Sequence, residues 1–218
     1  MIKEQLSREV AGFVAVIDEM YGYYLDAVMA FGLYHRFILD GIERTKAFFP
    51  PGTNLADDVF IGDGEPGDPS HFLEHRTTKT DLMSRNAPGG RNSVLAAQHL
   101  VVLIFTFWET RYRSTIADAL GLKVDDLKVP LIGDLRRLRN DIVHSRGRIS
   151  KETAAKIEVM THFKEADEIV LGKDAVRALM QGLRTALDSL VVKAGGADPG
   201  HGTVLQLDGV TVRPKPTL

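Results

Sequence analysis

Apolar residues recur at intervals of three and four near the start of the chain, which is the spacing of one face of an α-helix. Residues 7–47 contain no proline, and their pattern predicts one long helix, or two helices with a kink near Gly32. The apolar positions in this stretch are Val10, Phe13, Val14, Ile17, Met20, Tyr21, Tyr24, Leu25 and Val28. Pro50 and Pro51 then end the helix.

A second helix is predicted to begin at Asn92 or Ser93, either of which is a good N-cap, and to stop at Gly121. Its first half is apolar nearly all round, which predicts the central helix of a bundle. The apolar run 94–108 is shorter than the roughly 20 residues of a membrane span, and it contains a glutamine and a histidine. We therefore expect a buried core helix and no contact with a membrane.

Residues 50–91 differ from their surroundings, because glycine and proline there mark repeated turns. This stretch is predicted to be an irregular insertion with one short helix, at 71–76 or at 80–85. The tail, residues 197–218, has two β-rich runs on either side of Asp208 and Gly209, which is a strong hairpin signal. The whole chain is expected to be a single all-α domain. Its predicted architecture is a bundle of four to five main helices, with this insertion and a small C-terminal β-hairpin.

Composition narrows the possible classes of protein. The chain has 218 residues, 44% of them hydrophobic, which is enough apolar material for one soluble core. Its formal net charge is −2, so contact with a nucleic acid would need a local basic patch. It contains no cysteine, which excludes disulfides, thiolate metal sites and cysteine nucleophiles. Its first residues are polar and of mixed charge, unlike a secretory signal, so a cytoplasmic protein is expected.

The stretch from Pro130 to Arg148 combines a core-facing stripe with polar chemistry. Proline suits the first turn of a helix, and the stripe residues follow at helical spacing. They are Leu131, Leu135, Leu138 and Ile142. At about 100° per residue, Asn140 and His144 lie nearly opposite this stripe.

The same stretch forms a local basic patch. Five arginines stand against two aspartates between Asp134 and Arg148, an excess of +3. We expect Arg136, Arg137 and Arg146 to contact RNA phosphates, because arginine presents a fixed fork of donors to phosphate oxygens.

Arginine and histidine together suit cleavage of RNA by attack of its 2′-hydroxyl group. A histidine near its ordinary pKa can take or give a proton at neutral pH, and Arg139 can stabilise charge on the phosphorane. No metal or other cofactor is required. One histidine and one arginine on a convex face are too few, however. A twofold homodimer that apposes two such faces would supply two of each.

These residues resemble a known motif. Arg139 to His144, reading RNDIVH, is similar to the R-x4-6-H motif of the HEPN superfamily (higher eukaryotes and prokaryotes nucleotide-binding), and Arg137 would fit the longer spacing. The polar residue after the arginine, here Asn140, is typical of the motif. The resemblance therefore implies Arg139, Asn140 and His144 as catalytic residues. It covers residues 130–148, and more loosely the preceding helix.

The resemblance implies a dimeric, metal-independent ribonuclease that leaves cyclic phosphate and 5′-hydroxyl ends. Many members are toxins of toxin–antitoxin pairs or effectors of phage defence, and some only bind RNA, nucleotide or protein. An antitoxin or regulatory protein is therefore a possible partner. In one toxin subgroup an adenylylated tyrosine stands two residues after the histidine, but here Ser145 and Arg146 follow His144. That form of regulation is not expected.

The preceding helix offers a supporting pair. Glu109 and Arg113 lie four residues apart, so they can form an ion pair along one face. They belong to WETRYR, which resembles the glutamate- and arginine-bearing helix of HEPN domains. The interpretation is either a solvated helix pair or a support for the arginine–histidine site.

A competing motif lies in the insertion. His71, Glu74 and His75 match H-x-x-E-H, in which two imidazoles on one helix face hold zinc and the carboxylate is a base. Glu152 or Glu158 would be the third ligand. A zinc hydrolase is thus an alternative to the ribonuclease, as is a short amphipathic turn without function.

Overall fold

The structure is a computed structural model, and it describes residues 2–50, 56–64, 68, 72–203, 205–207 and 210–212. The chain divides into two compact units. One contains residues 1–24 and 97–218, and the other contains residues 25–96. The second unit therefore extends well beyond the predicted insertion at 50–91, because it takes in half of the first helix.

The described chain is mostly helical, as predicted, with two small antiparallel sheets. Its α-helices are α1 (Ile2–Ala47), α2 (Lys79–Asn86), α3 (Arg91–Phe107), α4 (Arg113–Leu120), α5 (Pro130–His144), α6 (Lys151–Lys156) and α7 (Lys173–Lys193). A π-helical turn, Trp108–Tyr112, joins α3 to α4, and a 3-10 turn covers Val124–Asp126. The strands are β1 (Asp58–Asp63), β2 (Phe72–Thr78), β3 (Leu205–Leu207) and β4 (Val210–Val212).

The boundaries of the long helices follow the sequence signals closely. The first predicted helix is a single element, α1. The helix predicted to stop at Gly121 does so, and Gly121 adopts the left-handed backbone conformation with φ +67°. Its first helical residue is Arg91, two or three residues before the start that a cap at Asn92 or Ser93 predicts. Strands β3 and β4 pair antiparallel, which confirms the C-terminal hairpin, although its predicted turn residues lie outside the described ones.

The unit of residues 25–96 contains a hairpin that the sequence did not reveal. Strands β1 and β2 pair antiparallel, with a register shift between Ile61 and Gly62. Helix α2 follows directly, because the Thr78 side chain accepts a hydrogen bond from the Asp81 backbone N–H and caps it. Of the two predicted positions for a short helix, 80–85 is confirmed, whereas 71–76 is wrong because residues from Phe72 onward form β2.

The other unit has its core around the continuous helical stretch from α3 to α4. Phe13 of α1 lies between Trp108 and Tyr112, with ring centroids 5.4 and 4.9 Å away. Helix α7 buries a stripe at helical spacing, and Gly182 brings α7 close to Leu131 of α5. These packed faces hold α5 with its opposite face toward solvent.

One helical stretch in the described chain, Arg91–Leu120, is long and apolar enough to cross a membrane. Half of its most apolar window is buried inside the protein. Gln98 within it is buried and donates a hydrogen bond to the Ile169 carbonyl at 3.0 Å. Both observations are compatible with the predicted core helix.

A fully buried carboxylate fixes the first half of α5. Asp134 accepts hydrogen bonds from the backbone N–H groups of Glu158, Val159 and Met160 at 2.9, 2.7 and 2.9 Å. Arg137 donates a further bond to it at 3.2 Å. The segment after α6 is therefore tied to the core-facing side of α5 through one side chain.

We expect Asp134→Ala to lower the free energy of unfolding by about 3 kcal/mol, because it leaves three backbone donors, that of Met160 in a buried position, without their acceptor. Urea denaturation followed by circular dichroism measures this. Asp174→Ala is the matched control, since Asp174 is exposed and its side chain bonds, among the described residues, only Arg177 across one helical turn. Equal losses in the two variants would contradict the role given to Asp134.

Candidate functional site

The outward face of α5 carries the residues of the arginine–histidine motif. Leu131, Leu135 and Leu138 are buried and Ile142 is half-buried, so the predicted core stripe is confirmed. The residues predicted on the opposite side are exposed, namely Asn140 and His144. The stripe is wider than predicted, because two buried aspartates, Asp134 and Asp141, lie along it.

Arg139 and Asn140 contact each other, whereas His144 stands alone. The Arg139 Nη1 donates a hydrogen bond to the Asn140 Oδ1 at 3.1 Å. Arg139 is half-buried, and its Nε is buried with no hydrogen-bond partner in the described chain. His144 makes no hydrogen bond or ion pair with any described residue, so both ring nitrogens are available to a ligand or to another chain.

The C-terminal end of α5 is held by Asp141, which belongs to the motif but faces inward. Its carbonyl accepts hydrogen bonds from the backbone N–H groups of Ser145 and Gly147 at 2.9 and 3.0 Å. Its carboxylate accepts one from the Ser150 N–H at 2.9 Å. Arg146 follows in the left-handed conformation, with φ +52° and an exposed side chain. The position of His144 is thereby fixed from the residues just after it.

Beside this face lies a cavity of about 570 Å³ between the π-helical turn, α5 and α6. Five of the predicted site residues line it: Glu109, Arg113, Arg136, Arg137 and Asn140. Arg139, His144 and Arg146 do not line it. The structure therefore separates the predicted site into a cavity group and an outer group, and Asn140 connects the two through its bond to Arg139.

Most of the charged groups in the cavity are already paired. Arg113 donates to Glu109 at 3.0 Å, which confirms the predicted ion pair, and also to Asp125 at 3.2 Å. Arg137 contacts Asp134 at 3.2 Å and Glu158 at 3.7 Å. Arg137, proposed from the sequence to contact RNA, thus also helps to hold the segment after α6.

The third pair involves two residues that the sequence did not single out as a pair. Lys156 donates to Glu152 at 2.7 Å. This hydrogen bond, together with the charge of Lys156, lowers the pKa of the Glu152 carboxyl. The spacing of four residues in a short helix was the available signal. Glu152 and Glu158 are therefore engaged with cations of the cavity.

Two cations of the cavity have no partner among the described residues, Lys128 and Arg136. Both are exposed. Lys128 precedes α5 by two residues. It was not identified from the sequence as a site residue, because a single lysine in a connecting segment belongs to no motif or periodic pattern. The apolar part of the wall comes from Phe105, Trp108 and Ile132, all of them buried residues.

The geometry of the insertion does not favour the zinc hypothesis. Glu74 and His75 are consecutive residues of strand β2, at the register shift in its pairing with β1, so they do not share a helix face. His71 lies outside the described residues. Among those that are described, no group of three or more histidine, aspartate or glutamate side chains is placed to hold a metal ion. The shared helix face that the motif requires is replaced by a strand.

Comparison with known proteins gives no further guide: no family model, no curated protein and no solved structure matches this chain.

We expect Gly147→Ala to be more destabilising than Gly121→Ala, although both glycines have positive φ, +74° and +67°. A Cβ at Gly121 meets nothing within 4 Å, so the cost there is backbone strain of about 1–2 kcal/mol. A Cβ at Gly147 would lie 2.6 Å from the Nε2 of Gln98, whose bond to Ile169 would have to shift. Chemical denaturation of both variants compares the two costs.

A double-mutant cycle isolates the clash. In a Gln98→Ala background the added cost of Gly147→Ala should fall to that of Gly121→Ala. An unchanged cost in that background would show that Gln98 does not restrict this turn.

Proposed function

We propose that this protein is a metal-independent ribonuclease of the HEPN type. The observation that carries the proposal is the outward face of α5, where an exposed and unpartnered His144 stands one helical turn from the bonded pair Arg139 and Asn140. An imidazole without a structural partner, next to a positioned guanidinium, suits proton transfer and stabilisation of a phosphorane.

The arrangement of α5 supports a chemical rather than a structural role for this face. The residues that hold α5 in place are the buried stripe, Asp134 and Asp141, and all of them lie on its core-facing side. Asn140 and His144 are both exposed, and the hydrogen bond that Asn140 accepts from Arg139 is the one side-chain bond that either makes to the described residues. Removing His144 should therefore change chemistry and leave the fold intact.

The proposed active site is formed by two chains. A single convex helix face offers one histidine, whereas transesterification needs one group to take a proton and another to give one. In a twofold dimer each α5 face would meet its own copy, so that two histidines and two arginines surround one RNA strand.

The proposed reaction is balanced without a metal or other cofactor. One His144 takes the proton of a ribose 2′-hydroxyl, and the resulting oxygen attacks the adjacent phosphorus. Arg139 stabilises the negative charge of the phosphorane. The bond to the 5′-oxygen then breaks, and this oxygen takes a proton from His144 of the second copy. The products are a 2′,3′-cyclic phosphate and a 5′-hydroxyl.

The biological setting that we propose follows from the same family resemblance. Ribonucleases of this kind act as toxins or as defence effectors in the cytoplasm, and an antitoxin or other regulatory protein restrains them. The partners proposed for this chain are thus RNA, a second copy of itself and a restraining protein. The proposed architecture is a helical bundle organised around the stretch from α3 to α4.

We expect the purified protein to cleave single-stranded RNA in excess EDTA and to leave cyclic phosphate ends. His144→Ala and Arg139→Ala should each lower the rate by about 100-fold or more, because each removes one part of proton transfer or charge stabilisation. Gel analysis of a labelled oligoribonucleotide measures the rate. His162→Ala and Arg177→Ala are the controls and should leave cleavage unchanged, since both residues are exposed, lie outside α5 and do not line the cavity.

Assembly is tested on the same samples. Sedimentation should show a dimer for the wild type and for both site variants, and cleavage per chain should fall on dilution below the dimer dissociation constant. Wild-type rates in both His144→Ala and Arg139→Ala would show that the catalytic assignment is wrong. RNA binding without any cleavage by the wild type would support the alternative, a non-catalytic HEPN-like binding module.

A further inference from the structure

We propose that the cavity beside α5 binds a phosphorylated nucleoside, and that in the ribonuclease it holds a nucleotide next to the scissile phosphate. The second part of this statement rests on the proposed function, whereas the first part does not. The charge, the wall and the position of the cavity support this assignment.

Two cations that line the cavity have no partner among the described residues and are free to contact a ligand. The five cations of the cavity face three anions of the wall, and the paired ones are Arg113, Arg137 and Lys156. Two neighbouring carboxylates, Asp125 and Asp134, complete these pairs. Lys128 and Arg136 are left over, and both line the same space. Two unpaired cations match the charge of a phosphate monoester and are not needed for the fold.

The first turn of α5 adds to this field. Val129, Pro130 and Gly133 line the cavity, and no side chain caps this end of the helix. The N-terminal end of a helix carries a partial positive charge, which favours an anion there. Lys128 lies two residues before this end and Arg136 lies between one and two turns after it, and all three groups line the same cavity.

The remaining wall fits an uncharged, flat group. Trp108, Phe105 and Ile132 are buried residues that contribute apolar surface, and Asn140 offers an amide that both donates and accepts. A nucleobase needs this combination, an apolar face beneath it and hydrogen-bonding groups at its edge. The volume of about 570 Å³ lies within the range of small-molecule sites.

The position of the cavity connects it to the outer face of α5. Asn140 lines the cavity and at the same time accepts a hydrogen bond from Arg139. His144 lies one turn further along the helix. A nucleotide in the cavity would therefore be adjacent to the phosphate at Arg139 and His144, and its base would be read by the wall. This gives the ribonuclease a specificity pocket separate from its reacting groups.

Trp108 allows a direct test, because it is the only tryptophan of the chain and it lines the cavity. Adenosine 5′-monophosphate and uridine 5′-monophosphate are titrated into the full chain, and tryptophan emission and calorimetry are recorded. We expect saturable binding that is tighter than that of inorganic phosphate or of the bare nucleoside. Lys128→Ala/Arg136→Ala should weaken it by about tenfold, because two charged contacts to the phosphate are lost.

The matched control removes one arginine and one lysine elsewhere on the same unit. Arg8→Ala/Lys173→Ala has the same change in net charge, and both residues are exposed and away from the cavity. This variant should bind like the wild type. Equal weakening in both double variants, or no binding by the wild type, would overturn the proposal.

Two further experiments distinguish a free mononucleotide from a nucleotide within an RNA strand, and the failure of this proposal from the failure of the proposed function. A 2′-O-methyl oligoribonucleotide, which cannot be cleaved, tests a nucleotide within a strand; binding that again needs Lys128 and Arg136 supports the RNA subsite. His144→Ala should bind mononucleotides normally. Mononucleotide binding without RNA cleavage would leave the pocket standing and reject the ribonuclease, whereas cleavage that ignores Lys128→Ala/Arg136→Ala would reject the pocket alone.

Discussion

The structure around α5 depends on one buried carboxylate. Asp134 has no contact with solvent, and it accepts three backbone hydrogen bonds from residues 158–160 together with one from Arg137. Taking a charge out of water is costly, and here several donors offset that cost at once. The result is that α5 cannot rotate about its axis without losing the three backbone bonds, whereas the bond from Arg137 lies within the helix. A helix that cannot rotate presents the same residues to solvent at all times.

This constraint explains why the two groups of polar residues on α5 behave differently. Arg137 points back toward Asp134 and Glu158 and so belongs mainly to the support of the helix. Arg136, its neighbour, has no such partner and remains available. Arg139 divides its roles, with a half-buried stem and a guanidinium that bonds Asn140. The arginines that are clustered in the sequence therefore differ in the structure, where Arg137 supports the helix, Arg136 is available to a ligand and Arg139 bonds Asn140.

Helical periodicity was sufficient to place the first half of α1, the stretch from α3 to α4, and α5, because each buries an apolar stripe. Beyond Tyr24 the apolar spacing of α1 continues although none of its residues is buried. Helical periodicity also placed Asn140 and His144 on the exposed face. The β1–β2 hairpin was missed for a physical reason. Phe60, Ile61, Phe72 and Leu73 are all exposed there, so neither strand has the alternation of buried and exposed residues that reveals a strand. The cavity could not be predicted, because its wall comes from segments that are distant in sequence. The burial of Asp134 and Asp141 could not be predicted either, because charged residues are ordinarily expected at the surface.

The π-helical turn at Trp108–Tyr112 has a consequence for insertions and deletions. Its backbone bond runs from Arg113 N–H to the Trp108 carbonyl, one residue wider than in an α-helix. This turn behaves as a helix holding one extra residue. Deleting one of residues 109–111 would let an ordinary helix close, and the apolar core on either side would still be continuous. The residues beyond the deletion would keep their alignment with Trp108, because the Arg113 N–H, which bonds the Trp108 carbonyl as the fifth residue after it, would then bond it as the fourth. The chain can therefore lose one residue here and still keep the alignment of Trp108 with Arg113 that shapes the cavity.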